Sequence, residues 1–358
     1  MRSMLSPLLL LSACAVPAVP CPAGWYRAEE GLCLLAPASL TIATAEDAAE
    51  FCATFDGVRG DVVFSDEGAT DLSALSCLRW VGGDLVLADH AILNSVELPA
   101  LARVQGAIRV YSNPSLESIS FPALDEVGAD LGIEYNGRLR SISAPLLEDV
   151  GSDLWIYQSA AEIPLDQANV AWDLSFPSLA SVGRHCYVRL NSHLESLDLS
   201  ELRRVGGLLK FTGNDQLVRL YLTELRSVGG LWFSFGSELQ HVDLPALTDV
   251  GGDIFHFQDT ALRTLSMPVL REVPALEVLE NRYLPVFEAP ALESIQFTLD
   301  VHDNPGIVGL SLPALAMVGQ DFRVRSNPNL ATSQIEALAL QVGDGIGGTV
   351  VIEGNGPD

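Results

Sequence analysis

From Val58 to the end, the chain says one thing over and over. The stretch "VGADLGIEYNGRLRSISAPLLED" fills residues 127–149, and at Val150 it restarts as "VGSDLWIY". Aligning the residue before the glycine gives thirteen anchors: Val58, Val81, Val104, Val127, Val150, Val182, Val205, Val228, Val250, Val273, Ile295, Val318 and Ile346. Most steps are 22 or 23 residues; two are longer, 32 from Val150 and 28 from Val318. A fixed period in this range is the signature of stacked coils, because one such unit cannot bury its apolar face alone.

Within a period, Leu131 and Ile133 alternate with polar or variable neighbours, which predicts a strand with one buried face. The residues around Ile142 alternate likewise and predict a second strand, with Leu139 and Leu147 at the corners. Coils that stack in register pair each strand with its equivalent one turn on. The expected fold is therefore mainly β, a right-handed parallel β-solenoid of about 13 coils, ~60 Å long at the usual strand spacing.

The recurring polar residues have structural readings. Asn113, Asn136, Asn191, Asn214, Asn304, Asn327 and Asn355 each fall nine residues after an anchor. An inward Asn at a corner can bond the backbone groups that a turn leaves unpaired, so a stacked ladder is expected. Pro99, Pro122 and Pro145 mark another turn, where a missing N–H costs little. Residues 160–173 read as an insertion bulging from one coil, and residues 333–341 as a short inserted helix opened by Ser333 and Glu336 at capping-box spacing. Cys186 occupies the position that Leu131 and Leu154 hold in their coils and reads as a small buried apolar residue.

The 48% hydrophobic content is enough for a large core. A formal charge of −26 argues against nucleic-acid binding, which needs a basic surface. The opening "MRSMLSPLLLLSAC" has a basic start and an apolar run too short to span a bilayer, as a signal peptide does. Leu11-Ser12-Ala13-Cys14 resembles a bacterial lipobox, which implies a signal peptide over 1–13 and lipid on Cys14; an ordinary secretory signal is the alternative. By the same resemblance, Ala15 points to the outer membrane, and to a chain anchored in the cell envelope by lipid alone. Residues 14–45 then read as a linker and a cysteine-containing N-terminal cap. In an oxidising compartment Cys21, Cys33, Cys52 and Cys77 favour two disulfides. The expected pairs are 21–33 and 52–77, with 33–52 left open.

The segments "FCATFDGVRGDVVF", "LSCLRWVGGDLVL", "NPSLESISFPALDEVGADLGI" and "NPNL" resemble the receptor L-domain, the leucine-rich-repeat-like ligand-binding module of insulin- and epidermal-growth-factor-receptor ectodomains. The likeness covers residues 46–358. It implies a solenoid that binds partners through a sheet face. The number of coils exceeds a single L-domain, and there is no furin-like region, kinase or membrane helix, so receptor signalling is not implied.

Enzyme signals are weak. The six histidines form no H-x-x-x-H pair, and there is no G-x-S-x-G elbow. Gly343, Gly345 and Gly348 spell G-x-G-x-x-G, but with helix before and strand after, the reverse of a dinucleotide fingerprint. Glu134 near Arg109 and Arg189 is the only approximate acid–base grouping. Asp61, Asp84, Asp130, Asp153, Asp253 and Asp321 recur three residues after their anchors. Such a column can bind Ca²⁺ or can bond turn amides. Its breaks at Ala107, His185 and Leu208 favour the amides. The reading carries no catalytic residue, no cofactor and no metal.

What varies is more informative. Counted from the anchors, the outward positions of the first strand hold Arg109 and Tyr111, Gly132 and Glu134, Trp155 and Tyr157, Tyr187 and Arg189, Lys210 and Thr212, Trp232 and Ser234, then Phe255 and Phe257. The second strand's outward positions are blander, chiefly serines. Aromatic residues interleaved with Arg and Lys, in a very acidic chain, point to a face that binds a protein or glycan at the cell surface; the alternatives are a passive structural envelope solenoid without a specific ligand and a polysaccharide-active β-helix enzyme.

Overall fold

The computed structural model describes residues 25–27, 33–159, 172–236, 238–252 and 255–358. The chain divides into two units, Met1–Ala36 and Pro37–Asp358. In the first, Trp25–Arg27 pairs antiparallel with Cys33–Leu35. The leader, Cys14 and the expected Cys21–Cys33 pair lie outside the described residues.

The second unit is a parallel β-solenoid of about 12 turns, one fewer than the count of anchors. The first strands and the anchors as far as Val250 form one sheet of 21 strands, while the anchors Val273, Ile295 and Val318 form a separate three-stranded sheet. Leu131 pairs with Leu154 and Leu154 with Cys186, so equivalent residues form interior rows. All three are buried. The second strands form a six-stranded sheet from Ser95–Glu97 to Arg219–Tyr221 and a separate four-stranded sheet from His241–Asp243 to Gly309–Ser311. The anchor row also lacks a pairing between Val250 and Val273 among the described residues. The stack therefore has a fault around the Val228 coil, bridged by the long strand Ser227–Gly236.

Two side-chain ladders hold the corners. In the first, Asn113 Nδ2 donates to the Leu87 carbonyl of the preceding coil (3.1 Å), while Asn113 Oδ1 accepts the His90 N–H (3.0 Å). The same pair of bonds recurs at Asn191, Asn304 and Asn327. Immediately before the ladder position the backbone is left-handed in successive coils, at Ser112, Tyr135, Leu190 and Phe235 among others. Non-glycine residues there cost about 1–3 kcal/mol each, which the buried ladder bonds offset. The second ladder is the aspartate column. Asp61 Oδ1 accepts the Asp84 N–H (2.8 Å), Asp84 the Ala107 N–H (2.8 Å) and Asp153 the His185 N–H (2.8 Å). His185 continues the column with its ring, since Nδ1 accepts the Leu208 N–H at 2.9 Å. The carboxylates thus serve turn amides. No group of three or more His, Cys, Asp or Glu fit to hold a metal occurs among the described residues.

The solenoid begins earlier than residue 46. Leu40–Ile42 already pairs with Val62–Phe64, and helix α1 (Ala45–Cys52) follows, opened by a capping box between Thr44 and Asp47. The expected Cys52–Cys77 disulfide is present. It closes a loop with a sequence separation of 25, a constraint that stabilises by about 3 kcal/mol on loop-entropy grounds.

Three further expectations need correction. Trp172 and Asp173 belong to the strand Trp172–Ser175, not to an insertion: Trp172 alternates inward with Leu174 and is fully buried. The inserted helix, α2, runs Thr332–Val342, and Ser333 does not cap it with its side chain. Instead the Asp358 carboxylate accepts the Ser333 N–H (2.9 Å), and bonds from Ser333 lower the Asp358 pKa. Phe255 and Phe257 are the third case. Five residues separate Val250 from Phe255, where four separate Val127 from Leu131. One extra residue flips every later side chain to the other face. Both phenylalanines are therefore fully buried, Phe255 paired with Leu231 and Phe257 stacked on Phe233 at 5.5 Å.

Cys186 is free, buried among aliphatic rows, and burial alone pushes its thiol up to about 12. Cys186 in the folded chain should therefore resist alkylation by iodoacetamide at pH 8 for hours and react fully in urea, as mass spectrometry of its peptide would read. Rapid labelling of the native protein at Cys186 would contradict this packing.

Candidate binding face

Most first strands are four residues long and alternate inward and outward, so each such coil fills two interior rows and offers two outward positions. Parallel register turns these into columns. One runs Arg109, Gly132, Trp155, Tyr187, Lys210, Trp232; the other Tyr111, Glu134, Tyr157, Arg189, Thr212, Ser234. All eight remaining sequence-predicted residues thus share one face: Arg109, Tyr111, Trp155, Tyr157, Tyr187, Arg189, Lys210 and Trp232. From Trp155 to Trp232 there are three strand steps, ~14 Å.

The side chains lie along the sheet rather than standing away from it. Gly132 makes room for the Trp155 indole, because a Cβ at 132 would sit 2.4 Å from Trp155 Nε1. That Nε1–H donates to the Glu134 carboxylate. So the only acid–base grouping seen in the sequence is a clamp on Trp155. Tyr157 meets Tyr135 edge-on at 5.2 Å, and the Arg189 guanidinium lies 5.6 Å from the Tyr157 ring centroid. Tyr187 stacks on His185 at 5.2 Å. Burial, with Asp153 nearby, raises the Tyr187 pKa. Glu134, Trp155, Tyr157, Tyr187 and Arg189 line a groove of about 340 Å³.

Beyond the groove, Lys210 Nζ is 4.1 Å from the Trp232 ring centroid, and burial lowers the Lys210 pKa. Trp232 packs its ring against His256 at 4.2 Å and donates Nε1–H to Ser234 Oγ at 2.8 Å. Arg109 is held by Asp84 (3.6 Å) and Asp130 (3.4 Å).

Sequence reasoning missed two parts of this surface. His256 and Gln258 occupy the outward positions assigned to Phe255 and Phe257. His256 has acceptors at both ring nitrogens, Glu277 at 2.6 Å and the Gln258 amide oxygen at 3.2 Å. From there the columns change character to Glu277, Asp300 and Arg323 beside His302 and Arg325. The second omission is a third column at the left-handed corner, where Tyr135, Leu190 and Phe235 are 49%, 41% and 51% exposed. Its one mark in the sequence is positional: each of the three immediately precedes a ladder position.

No protein-family model matches the chain, and no curated protein or solved structure matches it.

Proposed function

We propose that this chain is a cell-envelope binding or adhesion protein that engages a protein or glycan through the aromatic and basic stretch of the first-strand sheet. The observation that carries the reading is the groove formed by Trp155, Tyr157, Tyr187, Arg189 and Glu134 in the middle of that stretch. Its aromatic rings are held in place before any partner arrives, by Gly132 beneath Trp155 and by the edge contact of Tyr135 on Tyr157. Rings already fixed lose little side-chain entropy on binding, and Trp, Tyr and Arg are the residues that dominate binding energy at interfaces. The exposed Tyr135, Leu190 and Phe235 widen the surface on one flank. The left-handed corner they occupy recurs in other coils with Ser112, Gln158, Asp259 or Asp303, so what sets these three apart is their exposed apolar bulk. On this reading the L-domain resemblance extends to the use of a sheet face, and the lipobox-like leader places that face outside the cytoplasm on a lipid tether.

Glycan arrays and pulldowns from surface extracts identify the partner class. Replacing Trp155, Tyr157 and Trp232 together with alanine is expected to weaken binding at least ~10-fold while leaving the protein folded, as circular dichroism would read. Undiminished binding by a folded triple variant would show that the face is not the contact surface.

A further inference from the structure

The two ends of the solenoid are finished differently. At the start, α1 buries Ala48 and Phe51 against the first coil and is pinned by Cys52–Cys77. At the other end, α2 covers part of the interior with Ile335, Leu338 and Val342. It leaves an apolar groove of about 480 Å³ lined by Ala339, Leu340, Ile346, Val350 and Ile352, with Glu336 at its rim. Val350 and Ile352 pair with Phe322 and Val324, so they belong to the interior rows, yet Val350 is 50% exposed. Leu340 on α2 is 81% exposed. The last described coil thus shows residues of its interior rows at the groove.

The strand beside the groove, Val350–Glu353, has one pairing partner among the described residues, Phe322–Arg325. Phe322 N–H bonds the Thr349 carbonyl and Ser326 N–H the Glu353 carbonyl. In a parallel ladder alternate residues bond to opposite sides. Thr349, Val351 and Glu353 therefore face inward to the sheet, and the N–H and C=O of Val350 and Ile352 point out along the free edge. Such an edge is a template for one more strand.

Charge selects the occupant. Residues 326–358 carry four carboxylates, Glu336, Asp344, Glu353 and Asp358, and no Lys, Arg or His. A second copy of this end would bring like charges together. We infer that the end of the solenoid takes up an extended basic segment of another protein. That segment adds a strand to Val350–Glu353, sets alternate apolar side chains beside Val350 and Ile352 over the groove, and places the intervening Lys or Arg on the face of Glu353, with Glu336 at the groove rim adding to the negative field.

The probe is a labelled peptide of alternating valine and lysine, compared with one of alternating valine and glutamate, by fluorescence anisotropy on the full chain. The basic peptide is expected to bind at least ~10-fold tighter. Because the protein is acidic throughout, two controls separate this site from general attraction. Val350→Pro removes an outward N–H and no ladder bond, and should weaken binding ~10-fold or more. Glu336→Lys with Glu353→Lys should reverse the preference between the peptides. Equal affinity for both peptides, or a charge-reversed variant that still prefers the basic one, would overturn the inference. So would a folded Val350→Pro variant that binds like the wild type. A wild-type dimer in sedimentation that Val350→Pro dissolves would assign the edge to a second copy instead. If Val350→Pro unfolds, the charge reversal decides alone.

Discussion

Asn304→Ala is expected to destabilise the solenoid by about 3–5 kcal/mol, an unusually large loss for one uncharged side chain. Asn304 Oδ1 accepts the Asn281 N–H at 2.8 Å, and Asn304 Nδ2 donates to the Val278 carbonyl at 2.8 Å and the His302 carbonyl at 3.0 Å. Asn304 and Asn281 are fully buried. Truncation leaves the buried Asn281 N–H without its acceptor, at about 1–3 kcal/mol, removes the second hydrogen bond of the Val278 and His302 carbonyls, and opens a polar void. The left-handed turn at Asp303 also loses the contact that holds it. Urea unfolding followed by circular dichroism measures the shift. The same change at Asn355, which ends the ladder and is only part-buried, should cost clearly less. Equal losses at the two positions would mean that the ladder is not what stabilises the corner.

The converse substitution should strengthen the chain. The ladder is interrupted at Gly236, which follows Ser234 in the coil where Asn214 follows Thr212. Around it lies a cavity of about 20 Å³ lined by Asn214, Thr212, Ser234, Thr260 and apolar neighbours including Phe211. Gly236 does not have a positive φ, and a Cβ there would meet nothing closer than Leu239 Cβ at 4.0 Å. Gly236→Asn places an amide where the cavity is. By analogy with the other coils it would donate to the Phe211 carbonyl and accept from Asn214. A gain of about 1–2 kcal/mol is expected, from two new buried hydrogen bonds and the lost flexibility of glycine in the unfolded chain. It would appear as a higher urea midpoint. Gly236→Ala separates the two causes, since it supplies only the second. No gain from asparagine over alanine would show that the gap is not a missing ladder member.

The architecture was legible because a period of 23 residues repeats each physical requirement many times. A valine that must point inward, an asparagine that must bond a corner and a glycine that must let one carbonyl pass close to it recur at fixed offsets. The candidate face was legible only where the offsets held. Eight of the ten expected residues lie on it, and the two that do not, Phe255 and Phe257, follow a single extra residue after Val250. Counting from the anchor could not reveal that shift. The interior column Phe211, Phe233, Phe257, stacked at 5.0 and 5.5 Å, shows which alternation packing enforces. The corner residues Tyr135, Leu190 and Phe235 went unread for a different reason. Nothing in polarity marks a left-handed turn when tyrosine, leucine or phenylalanine occupies it. Asp358 as the partner of Ser333 was illegible because the two come together only through the last coil.

The interruption near Val228 has a mechanical consequence. Several tie-lines that bind coil to coil lapse there together: the aspartate column has passed to Leu208, the asparagine column to Gly236, and the second-strand sheet divides between Tyr221 and His241. A stack of slabs lashed along its sides bends where the lashings stop. What stays paired on both sides through this coil is the ribbon Ser227–Gly236, with Trp232 near its midpoint, so the joint between the two halves runs through the outward column that carries Lys210 and Trp232.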